Sequence, residues 1–266
     1  MRALLVRPVE ALGRAIIRPV EEVGRFLRVV VLGTVAIFRP PYRPRLVFKQ
    51  FEFVGVQSLS IVCVTGGFTG AVYALQAAYG FGLFDAEVLT GSTVTISLAR
   101  TLGPVFAALM ITGRAGSSMA AEIGTMRVTE QVDALESMAV DPMEYLVAPR
   151  ILAGVCMVPV AAAVFTAVGM LGAYLVGVNL LGINEGAFLY RIQWYADPPD
   201  FVWGLFKAGV FGYVMAVVGC YKGLYVRGGA EGVGKATTQA VVVASVSILI
   251  LDYFLTDFLM STGLWL

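Results

Sequence analysis

Hydrophobic and polar positions along this chain fall into two kinds of pattern. Five stretches are apolar on all sides, at about Phe51 to Tyr79, Thr93 to Gly113, Pro149 to Leu181, Phe201 to Tyr221 and Thr237 to Met260. A run of about twenty apolar residues is the length at which a helix crosses a bilayer, so the pattern predicts five transmembrane helices. Two further stretches are apolar on one side only. The first, within residues 1 to 50, carries an eleven-residue near repeat, RPVEALGR from Arg7 and RPVEEVGR from Arg18, and sets arginines against Val, Leu, Ile and Phe. With Pro8 and Pro19 inside it, this segment is expected to lie in the membrane interface as an amphipathic element rather than to cross. RPPYRPRLVFK, from Arg39, then breaks the helix and anchors it near anionic headgroups. The second one-sided stretch covers about 125 to 140. There Val128, Val132, Leu135 and Met138 recur at helical spacing, and Glu130, Asp133 and Glu136 face the other way.

Thus a spanning helix beginning at Thr93 delivers a short acidic amphipathic helix to one membrane surface. Such a helix suits a grip on a soluble partner, through its complementary charge and buried area. It equally suits a helix that lies on the membrane or caps its own bundle.

Composition agrees with the pattern: 58% hydrophobic and 14% charged residues, 30 glycines and a mean hydropathy of +0.82 mark an integral membrane protein. The net charge of +1 conceals an asymmetry, since ten of the nineteen Lys and Arg lie in the first 50 residues. Placing basic loops inside puts residues 1 to 50, 114 to 150 and 222 to 235 in the cytoplasm and leaves Arg191 among the outer loops, which gives a cytoplasmic N-terminus and a periplasmic C-terminus. Nothing in this balance points to nucleic acid. The chain has no histidine, so His-based catalysis and His-ligated metals are excluded. Cys63, Cys156 and Cys220 are widely spaced in apolar runs and read as small core residues. No cleavable signal is expected at the N-terminus, and GFGLFDAEVLTGS and INEGAFLYRIQWYADPPD read as outer connections, the latter with a short interfacial helix.

One motif is set aside. Gly229 to Lys235 reads GAEGVGK, the spacing of a phosphate-binding loop, yet Ala236 stands where a magnesium-binding Ser or Thr belongs and the run follows a membrane helix instead of a strand. Ionisable residues inside the spans are better leads, because each is costly there. Arg100, Lys207 and Asp252, from three spans, fall at similar depth in the outer half. They form either an ion cluster that fixes packing or the polar wall of a cavity, in which one acid against two bases leaves positive charge for an anionic headgroup. Asp257 is expected to face interfacial water.

SLARTLGPVFAALMITGRAGSSMAAEIGTMRVTEQVDALESMAVDPMEYLVAPR, CYKGLYVRGGAEGVGKATTQAVV and LDYFLTDF together resemble the signature regions of the MlaE/YrbE permease family, over about residues 45 to 260. The resemblance implies an all-α, homodimeric or pseudo-dimeric permease of an ABC transporter in a bacterial inner membrane, moving phospholipid or another lipid between that membrane and the outer envelope. No chemistry, metal or cofactor of its own is expected. The implied partners are a soluble MlaF-type ATPase, a periplasmic MCE-domain protein of the MlaD type, in some systems a STAS-domain subunit, and a second permease copy. It further implies that 125 to 140 is a coupling helix seated on the ATPase, with Glu122, Glu130, Asp133 and Glu136 as the coupling acids, and that Arg100, Lys207 and Asp252 line the lipid cavity. The family commonly carries a glutamate where this chain has Thr101, so Arg100 is expected to find its counter-charge on Asp252. The expected organisation is an interfacial segment, 1 to 50, and a permease domain, 51 to 266. The rival readings are an ion-coupled secondary carrier using the three charges as a relay, disfavoured by the lack of an evident inverted repeat, and a non-transporting membrane anchor for envelope proteins.

Overall fold

The computed structural model describes residues 2–40 and 43–263, with the side chains of residue 17 and of residues 19 onward. Its described residues contain helices and turns and no strand, as chains in hydrocarbon must satisfy each backbone polar group within the segment. Five helical runs are long and apolar enough to cross a membrane: Pro44–Gly82, Glu87–Val128, Met143–Leu180, Pro198–Leu224 and Gly229–Ser261. They match the five predicted spans and extend them, most at the C-terminal end of the second.

Helix α1 (Arg2–Ile37) precedes these runs. Its backbone stays helical through Pro8 and Pro19, so the prolines do not divide the segment as the sequence suggests; Pro19 is exposed, and the side chain of Pro8 and the first copy of the repeat lie outside the described side chains. From Ile17 on, Val20, Val23, Leu27, Val31 and Val35 are exposed while Val29 and Ala36 are buried, the one-sided pattern of an interfacial helix. α2 (Pro44–Val54) starts within the stretch assigned to the interfacial segment. After a break at Gly55, where an added methyl group would meet Met157 Cε at 2.0 Å, α3 (Leu59–Gly82) completes the first run.

The second run is α4 (Thr90–Ser97), α5 (Gly103–Ile111) and α6 (Ser117–Val128), joined by wide π turns at Leu98–Leu102 and Thr112–Gly116. α7 (Gln131–Ser137) follows, then a π turn at Met143–Val147 leading into α8 (Ala148–Tyr174). α9 (Glu185–Tyr195) is the short helix predicted between the third and fourth spans. It is capped by Asn184, whose side chain accepts from Ala187 N at 3.0 Å, and Phe188 fixes it by packing against Gly91 and Gly177. α10 (Pro198–Leu224) and α11 (Gly229–Ser261) are the last two runs.

Small residues set the packing, as expected where hydrophobicity cannot drive helices together. α3 and α8 share the most extensive pairing. A Cβ on Gly70 would lie 1.9 Å from the Gly169 carbonyl oxygen, so the GxxxG at Gly66 and Gly70 is a true backbone contact. α8 meets α10 in the same way through Gly154 and Gly212. Cys220 is buried and Cys63 half-buried, but Cys156 is exposed, which corrects its assignment to the core: its face of α8 is turned outward.

Candidate functional site

The intramembrane charges meet, though not in the predicted pairing. Arg100 lies in the π turn between α4 and α5, and Pro104 has no N–H to give to the Arg100 carbonyl one turn back. Lys207 of α10 supplies the missing donor, its Nζ lying 3.0 Å from the Arg100 carbonyl oxygen. The same ammonium donates to Thr256 Oγ1 at 2.8 Å and lies 2.5 Å from Asp252 Oδ1. An ammonium has three donors, and all three directions are occupied around a side chain that is fully buried.

Arg100 pairs with Asp200 and not with Asp252: its Nε donates to Asp200 Oδ1 at 2.7 Å. Asp200 is 1% exposed and also closes the capping box that starts α10, accepting from Asp197 N through Oδ2 at 3.3 Å. Nothing in the hydropathy pattern singles it out, because it sits in a polar connection between spans. Its signal was there, an acid three residues after Asp197 and just beyond Pro198 and Pro199. Asp200 also changes the charge count. Two bases now face two acids, so the expected positive excess is absent. The side chains of Arg100 and Asp252 keep 25% and 15% exposure, which leaves the cluster open on one flank. An apolar cavity of about 190 Å³ lies beside it, lined by Ala99, Pro104, Thr166, Met170, Phe201 and Gly204. That is below the roughly 300 Å³ at which ordinary ligand sites begin. Asp257 is exposed, as expected.

At the opposite end of the same run, the predicted amphipathic helix is broken in two. α6 stops at Val128, Glu130 takes a left-handed conformation (φ 58°), and α7 starts at Gln131. Ala139 (φ 57°) ends α7, with Val140 N bonded to Leu135 O at 2.9 Å in a Schellman closure. The turn rotates α7 against α6, so that Val132 is buried and Leu135 half-buried while Val128 and Met138 are exposed. The helical spacing of the sequence predicts one apolar face for all four. The result is an exposed patch in which apolar Val128 and Met138 accompany Glu130, Asp133 and Glu136. Asp133 is bridged to Arg127, and Glu136 borders a groove of about 350 Å³ together with Arg28, Asp141 and Tyr225.

Glu122 does something different from those acids. Its Oε2 accepts from Arg150 Nη2 at 2.7 Å, and Arg150, 4% exposed in its side chain, also donates to Leu146 O at 2.7 Å. The pair ties the foot of α6 to the foot of α8. Arg114 plays the matching part for the first run. It donates to Ser58 Oγ at 2.8 Å and to the Phe53 carbonyl exposed by the α2 break, and it lies over the Phe53 ring at 5.0 Å.

Two features of the second run therefore belong together: a charge cluster near one end and an acidic, partly apolar patch at the other. Comparison with known proteins places this arrangement. Residues 47–258 match the family model described as Permease MlaE. The chain belongs to the MlaE permease family. It is 38% identical to the "Intermembrane phospholipid transport system permease protein MlaE" of Haemophilus influenzae, over 98% of this chain and 100% of that protein. A "Probable ABC transporter permease protein" of Rickettsia bellii is 44% identical over 96% of this chain and 98% of its own length. The chloroplast protein TRIGALACTOSYLDIACYLGLYCEROL 1 of Arabidopsis thaliana is 34% identical over 80% of this chain and 61% of its length. The chain is a multi-pass membrane permease, and GAEGVGK, which forms the first turns of α11 after a short connection from α10, lacks the strand a P-loop requires.

Proposed function

We propose that this protein is the permease subunit of an ABC transporter that moves phospholipid or a related lipid between a bacterial inner membrane and the outer envelope. The observation that carries the reading is the end-to-end match to the Haemophilus phospholipid transport permease. Geometry supports it. From Arg100 to Val128 the second run covers about 42 Å at 1.5 Å per residue, longer than the roughly 30 Å hydrocarbon core. One helical rod thereby links the charge cluster in the outer half to the acidic patch beyond the inner surface.

In this reading Glu130, Asp133 and Glu136, with Val128 and Met138, seat on a separate MlaF-type ATPase, which hydrolyses ATP. Glu122 passes the resulting movement to α8 through Arg150. Because the cavity beside the cluster is small, a second copy is needed to enclose a phospholipid, and the exposed Tyr253 and Phe254 beside Asp252 are its contact. Arg100, Lys207 and Asp252, joined by Asp200, line that shared space, where an arriving phosphate can exchange for Asp200 as the partner of Arg100. An MCE-domain protein of the MlaD type meets the outer face, where α9 exposes Tyr190 and Trp194. A STAS-domain subunit would complete the assembly. With the basic α1 and the basic connection at 222–235 on the inner side, the N-terminus is cytoplasmic and the C-terminus periplasmic.

The test is reconstitution of the permease with its ATPase in liposomes. ATP-dependent lipid transfer and permease-stimulated hydrolysis are expected. Transfer that follows an ion gradient without ATP would make the protein a secondary carrier, and binding of envelope proteins with no transfer would make it an anchor.

A further inference from the structure

The GAEGVGK stretch, which opens α11, borders a basic pocket of about 310 Å³. Four cations from three helices and a turn converge there: Arg25 of α1, Lys222 near the end of α10, Arg227 in the turn and Lys235 in the second turn of α11. Two carboxylates oppose them. Glu22 borders the pocket, and Glu231 holds Lys235 at 2.6 Å. A net excess of two positive charges remains. Tyr221 and Tyr225 form an aromatic wall, their ring centroids 5.2 Å apart. The Arg25 guanidinium lies 5.6 Å from the Tyr225 ring, and its Nε is buried without a hydrogen-bond partner. Such a donor is costly to leave unmade.

Glycine makes the convergence possible. Gly228 and Gly229 take φ of +96° and +64°, and a Cβ on Gly232 would lie 2.0 Å from the Arg227 carbonyl oxygen. The turn is therefore tight enough to bring Arg227 and Lys235 to one pocket. α11 begins there without a side-chain cap, which adds the positive end of its dipole.

We infer that this pocket binds the phosphate of an anionic lipid from the inner leaflet, at a site separate from the Arg100 cluster. The leaflet assignment rests on the topology proposed above. A lipid headgroup is favoured over free phosphate because an apolar track leaves the pocket: Lys235, Gln239, Val242 and Val246 lie at i, i+4, i+7 and i+11 on α11, with Val242 and Val246 exposed by 55% and 51%. Val20, Val23 and Leu27 are exposed on α1 beside Arg25. Basic pockets at the cytoplasmic ends of membrane helices suit anionic headgroups for these reasons. Tyr225 borders both this pocket and the groove under α7, so a bound lipid braces α1 and the foot of α10 next to the coupling patch.

The experiment is equilibrium binding to the purified full-length permease in nanodiscs, measured for phosphatidylglycerol, phosphatidylcholine and inorganic phosphate. Selective retention of phosphatidylglycerol is expected, falling roughly fivefold per base removed and about thirtyfold in Arg25→Gln/Arg227→Gln. Arg191→Gln, at the outer end, should leave it unchanged. Lys235→Gln, at an exposed position, gives the single-base loss if the double variant folds poorly. Unchanged phosphatidylglycerol binding in folded Lys235→Gln and Arg25→Gln/Arg227→Gln overturns the site, and full competition by millimolar inorganic phosphate overturns the lipid assignment. Neither ATP nor transport enters the measurement, so its failure is distinct from failure of the transport reading.

Discussion

Lys207 carries the sharpest energetic consequence of any single residue. Its ammonium is fully buried against Asp252, Thr256 and the Arg100 carbonyl, and removing it strands a carboxylate of which 15% is exposed. Lys207→Ala should therefore cost about 3 to 5 kcal/mol, read as a lowered thermal midpoint in detergent. Replacing both charges, as Lys207→Met/Asp252→Leu, should recover most of that loss, since well-packed apolar pairs often equal buried ion pairs. If the cluster lines the lipid path, the folded double variant will still transport poorly. Full transport by it would assign the pair to packing alone. Arg100 differs, because its partner Asp200 also caps α10. Its substitution should loosen the start of that helix as well as the cluster.

At the scale of elements, close backbone approach governs the pairing of α3 with α8. Gly70→Ala would set a methyl group 1.9 Å from the Gly169 carbonyl oxygen, and backbone cannot yield as a flexible side chain can. A loss of about 1 to 3 kcal/mol is expected, and a thermal midpoint equal to that of the parent protein would show that the two helices do not pack this closely. α7 behaves in the opposite way. Glu130 and Asp133 are exposed, and a surface pair such as Asp133 with Arg127 contributes no more than about 1 kcal/mol. Glu130→Lys/Asp133→Lys should consequently fold, yet lose permease-stimulated ATP hydrolysis by charge reversal at the proposed interface. Normal hydrolysis and lipid transfer in that variant would remove α7 from the coupling surface.

For the whole molecule, the alternation of basic connections predicts a cytoplasmic N-terminus and a periplasmic C-terminus. Fusion of a reporter after Leu266 tests it: a reporter active only in the periplasm should be active, and one active only in the cytoplasm should be silent. Activity of the cytoplasmic reporter would reverse the inner and outer faces. It would then place the basic pocket and α7 outside, away from ATP.

Five spans, a one-sided N-terminal helix and a short helix between the third and fourth spans were legible in the sequence, because the bilayer acts on local run length and local hydropathy. The signature around EIGTMRVTEQVDAL was legible too, since it is carried by residues adjacent in the chain. The partners of the charges were not. A span that is apolar on all sides has little periodicity to fix its rotation about its own axis, so depth alone brought Arg100, Lys207 and Asp252 together without saying which would pair. Helix packing through glycines supplied the rotation, gave Arg100 to Asp200 and left Lys207 with Asp252. The break at Glu130 was hidden for a related reason. Val128, Val132, Leu135 and Met138 fit one continuous stripe, and the left-handed residue that divides them is fixed by where Val132 must be buried. Likewise Arg25 and Lys235 are distant in sequence, and they share a pocket only because α1 packs at the foot of α10 and a glycine turn folds α11 back beside it.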